Sequence, residues 1–358
     1  MAAVRHRLAL ALALALPCVQ VCAQEGAAPD ALKPPPEALE GVEAVPLALE
    51  HRYTAGKRLV YEQRQTMDID QGPMGTVTIQ TGFGMERLVK EGRPEGALLV
   101  EKFLHVVQEV TAQGQTHTLD TRDGTRSGNP GVDCMEGLVG GAIEVEVAGP
   151  GEVKRVSGAG GLVERVVAAC PEHMQDMMAA QLSDSLNDET MARQIQESLL
   201  VFPGGELQPG ATWRRAGKYP LPPLDEVDRT IDYVYLGVVE RGGVKCAKLW
   251  TRTKVGAIEA KQTVIQGQPA TVSLSAFEGQ AAILVRAEDG EVLEYGPMEV
   301  KYTLDLKVAG QEMQIGYRAL TRVEARPADE AAPPAQEPAA PTPQGPTPED
   351  PAGDGEPR

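Results

Sequence analysis

Few residue types able to do chemistry occur together in this chain. The most suggestive run is Ser157-Gly158-Ala159-Gly160-Gly161, within EVKRVSGAGGLVERVV, which has the composition of a loop that cradles phosphate on a helix N-terminus. A dinucleotide fingerprint requires glycine at its first, third and sixth positions, and counted from Gly158 the sixth is Val163. A P-loop ends in Gly-Lys-Ser/Thr, and that ending is missing. The run before it leaves a Gly149-Pro150-Gly151 turn after AIEVEV, so it is the second arm of a hairpin and not the first strand of a βαβ unit. The glycines read as a passage from sheet to helix.

Other chemistries fare no better. Cys170-Pro-Glu-His173 has the spacing of half a zinc site, but His51, His105 and His117 lie in no matching short motif. The serines of RSGNPG, VSGAGG and LSDSLN lack the glycine two places earlier that a nucleophile elbow needs. His105 sits in mid-strand beside apolar neighbours, a structural setting. DTRDGTRSGNPG lacks the alternating acids of a calcium loop, and Asp120 with Asp123, or Asp225, Glu226 and Asp228, read as solvated surface in so acidic a chain. The sequence therefore predicts no catalytic residue, no metal site, no cofactor and no enzyme.

The chain opens MAAVRHRLALALALALPCVQVCAQ, with basic residues at Arg5 and Arg7, an apolar run from Leu8 to Leu16, and small residues before Gln24. This is a signal peptide, residues 1–23, with cleavage expected after Ala23 and export to the periplasm or medium. Cys18 and Cys22 lack the small residue that precedes a lipid-bearing cysteine, so lipoprotein anchoring is the weaker reading. The run is too short for a bilayer, which takes roughly 20 apolar residues, and no later segment spans one. The net charge is −17, made two units more negative by loss of Arg5 and Arg7, which argues against nucleic acid as a partner. Cys134, Cys170 and Cys246 remain, and the simplest disulfide joins Cys134 with Cys170.

Residues 24–49 are rich in Ala, Pro and Glu and read as a disordered linker, and residues 326–358 as a disordered acidic tail. Between them, 50–325 has the period of two that marks strands with one buried face. Met298, Val300, Tyr302, Leu304, Leu306 and Val308 alternate with polar residues. Val77, Ile79, Phe83 and Met85 share one side of their strand, and Leu98, Val100, Leu104 and Val106 one side of theirs. Glycine-bearing turns, such as Arg241-Gly242-Gly243 and Ala309-Gly310, join neighbours that must be antiparallel. Helical spacing is confined to 160–200, with a cap at Asn187. The expected fold is mainly β (α+β): a large curved antiparallel sheet or incomplete barrel, with an insert of two or three helices on its concave side. A weak echo between AGKRLVYEQR and PGATWRRAG, each ahead of a long hairpin, suggests two similar halves, 50–158 and 203–325.

Over roughly 54–324 the chain resembles a family of exported bacterial proteins that carry a β-rich domain of unknown function. The resemblance rests on Gly140, Gly151, Val153, Val156, Gly158, Pro203, Gly210 and Trp213. It implies export and a β-rich body, and supplies no catalytic residue.

The function expected from the sequence is non-enzymatic binding in the cell envelope, with a lipid, acyl or other apolar ligand held between sheet and helices. Met174, Met177, Met178, Leu182, Met191 and Ile195 are the candidate lining, since methionine forms adaptable apolar surfaces. The alternative is a structural or interaction module with an envelope protein as partner.

Overall fold

Among the described residues, alternating apolar side chains build sixteen strands, nearly all in one antiparallel sheet. The computed structural model describes residues 32–327 apart from 150, 184–185, 222–223, 225, 266–267 and 309–310. The leader and its cleavage site, residues 24–31, the tail from 328, Asp225 and the Ala309-Gly310 turn lie outside the described residues. The strands are β1 (Leu47–Ala48), β2 (Arg58–Asp70), β3 (Thr76–Arg93), β4 (Gly96–Ala112), β5 (Gln115–Asp120), β6 (Ala142–Ala148), β7 (Glu152–Ser157) and β8 (Glu206–Leu207). They continue as β9 (Thr212–Pro220), β10 (Glu226–Arg241), β11 (Val244–Val255), β12 (Ile258–Ile265), β13 (Gln268–Leu274), β14 (Phe277–Arg286), β15 (Val292–Val308) and β16 (Gln311–Pro327). The helices are α1 (Pro130–Asp133), α2 (Ala159–Ala169), α3 (Glu172–Ser183) and α4 (Asp188–Ser198).

The sheet runs β7-β6-β4-β3-β2-β16-β15-β14-β11-β10-β9, with β5 hung on β4 and the β12–β13 hairpin on β15. Each flank is a meander, and the two meet where the last strand pairs with β2. Tight turns permit this. Between β10 and β11 only Gly242 and Gly243 intervene, both at positive φ (57° and 78°), as a two-residue hairpin turn demands. The path does not close on itself; its ends are β7 and β9. No helix among the described residues is long and apolar enough to cross a membrane.

The insert sits between those two ends. Gly158, at φ 101°, turns the chain from β7 into α2, where an L side chain would be strained. Asn187 caps α4 by accepting a hydrogen bond from the Thr190 amide at 2.8 Å, and Asp188 and Glu189 suit the positive end of the helix dipole. The Gln196 side chain acts as a stand-in strand for β7: its Oε1 accepts from the Val153 amide at 2.6 Å and its Nε2 donates to the Gly151 carbonyl at 3.1 Å. From β9, Arg215 donates to the carbonyls of Leu199 (2.9 Å) and Gln196 (3.2 Å). The end of α4 thus bridges the two edges.

Under the helices, Leu162, Val166, Met178, Leu182, Met191 and Ile195 pack on Phe83, Leu99, Phe103, Val106 and Ile143. A second apolar cluster lies toward the β12–β13 end and a third on the inner faces of β10, β11 and β14. A polar row crosses the interior between the first and second, with Thr321, Gln65, Thr81 and Gln108 in register on β16, β2, β3 and β4. Trp213 stacks on Tyr233, its cross-strand partner, at 5.1 Å between ring centres.

Three expectations are corrected. Residues 32–49 are not a linker with little to bury. Leu32 and Ala38, with Val42, cover Val234, Leu236 and Trp250 on the outer face of the sheet, and β1 pairs with β8. The reason is that β10 is apolar on both faces over this stretch, so its outer face needs a cover. On β4, Leu99 and Phe103 face inward together with Val106, not Leu98, Val100 and Leu104. A β-bulge at Leu104 shifts the pairing between Phe103 and His105 and reverses the face. Finally, β16 runs on to Pro327, pairing Arg326 with Val60, two residues past the expected limit of 325.

Candidate functional site

A cavity of about 140 Å³ lies between the concave face of the sheet and α4. Its apolar wall comes from Met85 and Phe103 on β3 and β4, Ile143 on β6, and Met191 and Ile195 on α4. Across from these stand Ile283, Val292, Tyr295 and Val323 of β14 to β16. Both flanks and the insert therefore contribute. On α4, Met191 and Ile195 stand four residues apart on one helix face, and Leu199, the residue that ends the helix, joins them in the lining.

The opposite wall is polar and charged. Arg87 faces inward on β3, two residues beyond Met85, and Glu101 stands directly opposite it on β4. Glu101 Oε1 accepts from Arg87 Nε at 2.8 Å and from Nη2 at 2.6 Å. Arg87 Nη1 donates to Glu291 Oε1 at 2.8 Å and to the Tyr61 hydroxyl at 3.0 Å, while that hydroxyl donates to the same Glu291 oxygen. The guanidinium also lies 4.8 Å from the centre of the Tyr61 ring. These side chains are largely sequestered, Arg87, Glu101 and Glu291 being 15, 13 and 14% exposed. Burial pushes the Glu291 carboxyl up, and the charge of Arg87 with the Tyr61 hydrogen bond outweighs it, so the group stays below its ordinary value and ionised. Burial opposes the charge on Arg87 too, but the groups around it hold its pKa well above the usual value.

His51 and Tyr53 complete this wall from the chain that leaves β1. The His51 Nε2 donates to the Leu200 carbonyl at 2.5 Å, because a carbonyl can only accept. Burial lowers the imidazole pKa, against the pull of that hydrogen bond, so the ring is neutral and Nδ1 carries the lone pair. The Tyr53 hydroxyl is buried with no hydrogen-bond partner, and burial raises its pKa to about 12. Behind the wall, Lys57 and Arg286 both pair with Asp289.

Of the residues singled out in the sequence, Met191 and Ile195 line the cavity. Met178 and Leu182 are wholly buried in the core beneath the helices, Met174 packs against that core, and Met177 is half-buried outside the lining. The difference follows from the insert's geometry: α4 lies over the concave face, while α3 packs against α2. Cys134 and Cys170 are joined by a disulfide with their Cα atoms 4.9 Å apart, which takes Cys170 away from any metal. Cys246 is free and buried. His105 lies over Gly84 and pairs with Glu62 at 3.2 Å, and His117 bonds the Ser127 carbonyl at 3.3 Å. No group of three or more His, Cys, Asp or Glu placed to hold a metal is found among the described residues. Sequence reasoning missed Arg87, Glu101 and Glu291, although Arg87 and Glu101 share the inward phase of their strands with Met85 and Phe103.

Residues 99–225 match the model of a family of unknown function, DUF6263. That segment runs from β4 through the insert and β9, and contains all eight positions that carry the resemblance noted in the sequence. No curated protein matches. Among solved structures, lipovitellin, in a study of its lipid–protein interactions, is 11% identical over 78% of this chain, with a TM-score of 0.35. This chain spans about a quarter (26%) of the lipovitellin chain. An outer membrane channel from Pseudomonas putida F1 is 6% identical over 77% of this chain and 98% of its own, with a TM-score of 0.20. An exported protein from Bacteroides fragilis described as having a YmcC-like fold is 10% identical over 77% and 99%, with a TM-score of 0.14. Likenesses this distant decide nothing about this chain.

Proposed function

We propose that this chain is an exported, non-enzymatic binding protein of the cell envelope, which holds a small, largely apolar molecule between its sheet and α4. The observation that carries this reading is the cavity itself, with an apolar wall drawn from both flanks and the insert, and a polar wall on one side. The leader at residues 1–23 supports export. The volume of about 140 Å³ is close to that of a ~150 Å³ engineered cavity that accepts benzene, so the occupant is a single ring or a short chain. An acyl chain, one of the ligands expected from the sequence, would have to be short to fit.

The test is titration of the full chain with toluene, followed by NMR of the methyl groups of Met191 and Ile195 and by native mass spectrometry. Saturable shifts confined to the cavity methyls are expected. Methyl signals that stay in place up to the solubility of toluene, with no retained mass, would leave the protein as a structural or interaction module.

A further inference from the structure

We infer that the cavity selects ligands whose polar end donates hydrogen bonds, a protonated amine above all, and rejects carboxylates. The inference rests on the binding reading above and deepens it. Its basis is a count of what the polar wall has left to offer. Four of the five Arg87 donors are engaged, two by Glu101, one by Glu291 and one by Tyr61. Both carboxylates accept through Oε1 only, so Oε2 of Glu101 and Oε2 of Glu291 make no hydrogen bond among the described residues. His51 adds a third acceptor at Nδ1, since its Nε2 proton is committed to Leu200. The Tyr53 hydroxyl, buried and unpartnered, can accept or donate. Among Arg87, Glu101, Glu291, His51 and Tyr53, acceptors thus outnumber spare donors.

Charge points the same way. One guanidinium faces two carboxylates, which leaves an excess of one negative charge on the lining. Glu86, also on the lining, is balanced by Arg58. Lys57 and Arg286 carry positive charge close by, and Lys57 acts on Glu291 from behind, but both pair with Asp289 and none of these three lines the cavity. A carboxylate entering here would meet two like charges at low dielectric, whereas an ammonium would meet two oxygens with free lone pairs. The apolar wall then takes the body of the ligand, so the class is a small amphiphilic amine.

The experiment compares toluene, benzylamine, benzyl alcohol and benzoate at pH 7, on the wild-type protein and on Glu291→Gln, by the same methyl shifts. Benzylamine is expected to bind at least tenfold more tightly than benzyl alcohol, and benzoate more weakly than either. In Glu291→Gln the preference for benzylamine over benzyl alcohol should shrink about tenfold. Benzoate binding as tightly as benzylamine to the wild type overturns the inference, and that comparison needs no variant to fold. Retention of the full amine preference by Glu291→Gln overturns it too. If toluene itself fails to bind, the binding reading falls, which is a different result.

Discussion

Two clusters of arginine and carboxylate lie on the two flanks of the sheet, and they are mirror images in charge. On the flank ending at β9, Asp232 is held between Arg214 and Arg252, its cross-strand partners on β9 and β11, at 2.6 and 2.9 Å. On the other flank Arg87 is held between Glu101 and Glu291. The first is a ladder in which strand register alone brings the partners together, and the carboxylate is completely buried. The second takes only one partner from register; Glu291 comes from 204 positions away and crosses from the other flank. In the ladder both carboxylate oxygens accept from an arginine, whereas in the cavity-lining cluster Glu101 and Glu291 each accept through Oε1 alone. Ion pairs of the same kind thus fasten strands in one place and, on the reading proposed above, recognise a ligand in the other. Their covers differ as well. The insert over the cavity is tied by a disulfide, whereas the segment holding Leu32 and Ala38 against the ladder's flank is attached by packing and a few backbone bonds.

The largest effect that sharpens this contrast is loss of the covalent tie. Cys134 and Cys170 are 36 residues apart, and replacing both with serine should cost about 4 kcal/mol of stability by chain entropy, measured by urea unfolding. Methyl signals of Met191 and Ile195 should broaden, while those of Val234 and Leu236 stay sharp. Next comes Asp232→Ala, which removes a buried acid shared by two arginines and should cost about 3 kcal/mol, with toluene binding to the folded protein unchanged. A loss of binding there would break the distinction between fastening and recognition surface. Leu32→Ala should cost about 2 kcal/mol, at the low end for a core leucine, because its neighbours on the outer face can settle.

The smallest effects are in pH. Burial pushes the Asp232 carboxyl up, but hydrogen bonds from Arg214 and Arg252 hold it below its ordinary value. Its stabilisation is therefore complete above the unfolded pKa of about 3.9 and is lost as the pH falls through the folded value. Asp232→Asn, though less stable throughout, should show a flatter decline in acid. His51 acts in a higher window. Its folded pKa is depressed, so the unfolded chain takes up a proton near pH 6.5 that the native state refuses, and stability falls as the pH drops below that point. His51→Gln should reduce that fall, by at most about 1.4 kcal/mol per pH unit, in unfolding curves between pH 7 and 5.5.

Much of the architecture was legible because strands with one buried face announce themselves. The β15 alternation, the β6–β7 hairpin and the Asn187 cap all lie where periodicity and turn chemistry put them. What was missed has physical reasons. The composition of 32–49 resembles a linker, but three or four apolar residues suffice when the partner surface is already built. The bulge at Leu104 cannot be read from alternation, because one extra residue reverses every later side chain. Arg87 and Glu101 were passed over: the phase of Arg87 with Met85 was a clue, but Glu101 had none, because LLVEKFLHV is apolar in both phases. Glu291 carried no clue at all, since its partner lies on the far flank.

The Gln196 amide has one more consequence. By occupying the amide of Val153 and the carbonyl of Gly151, it gives β7 what a neighbouring strand from a second molecule would otherwise offer. A plug made of one side chain guards this edge against pairing with a second copy of the chain. Gln196→Ala would remove that defence without touching the ligand wall, and its mark would be sticky, growing assemblies and not lost recognition.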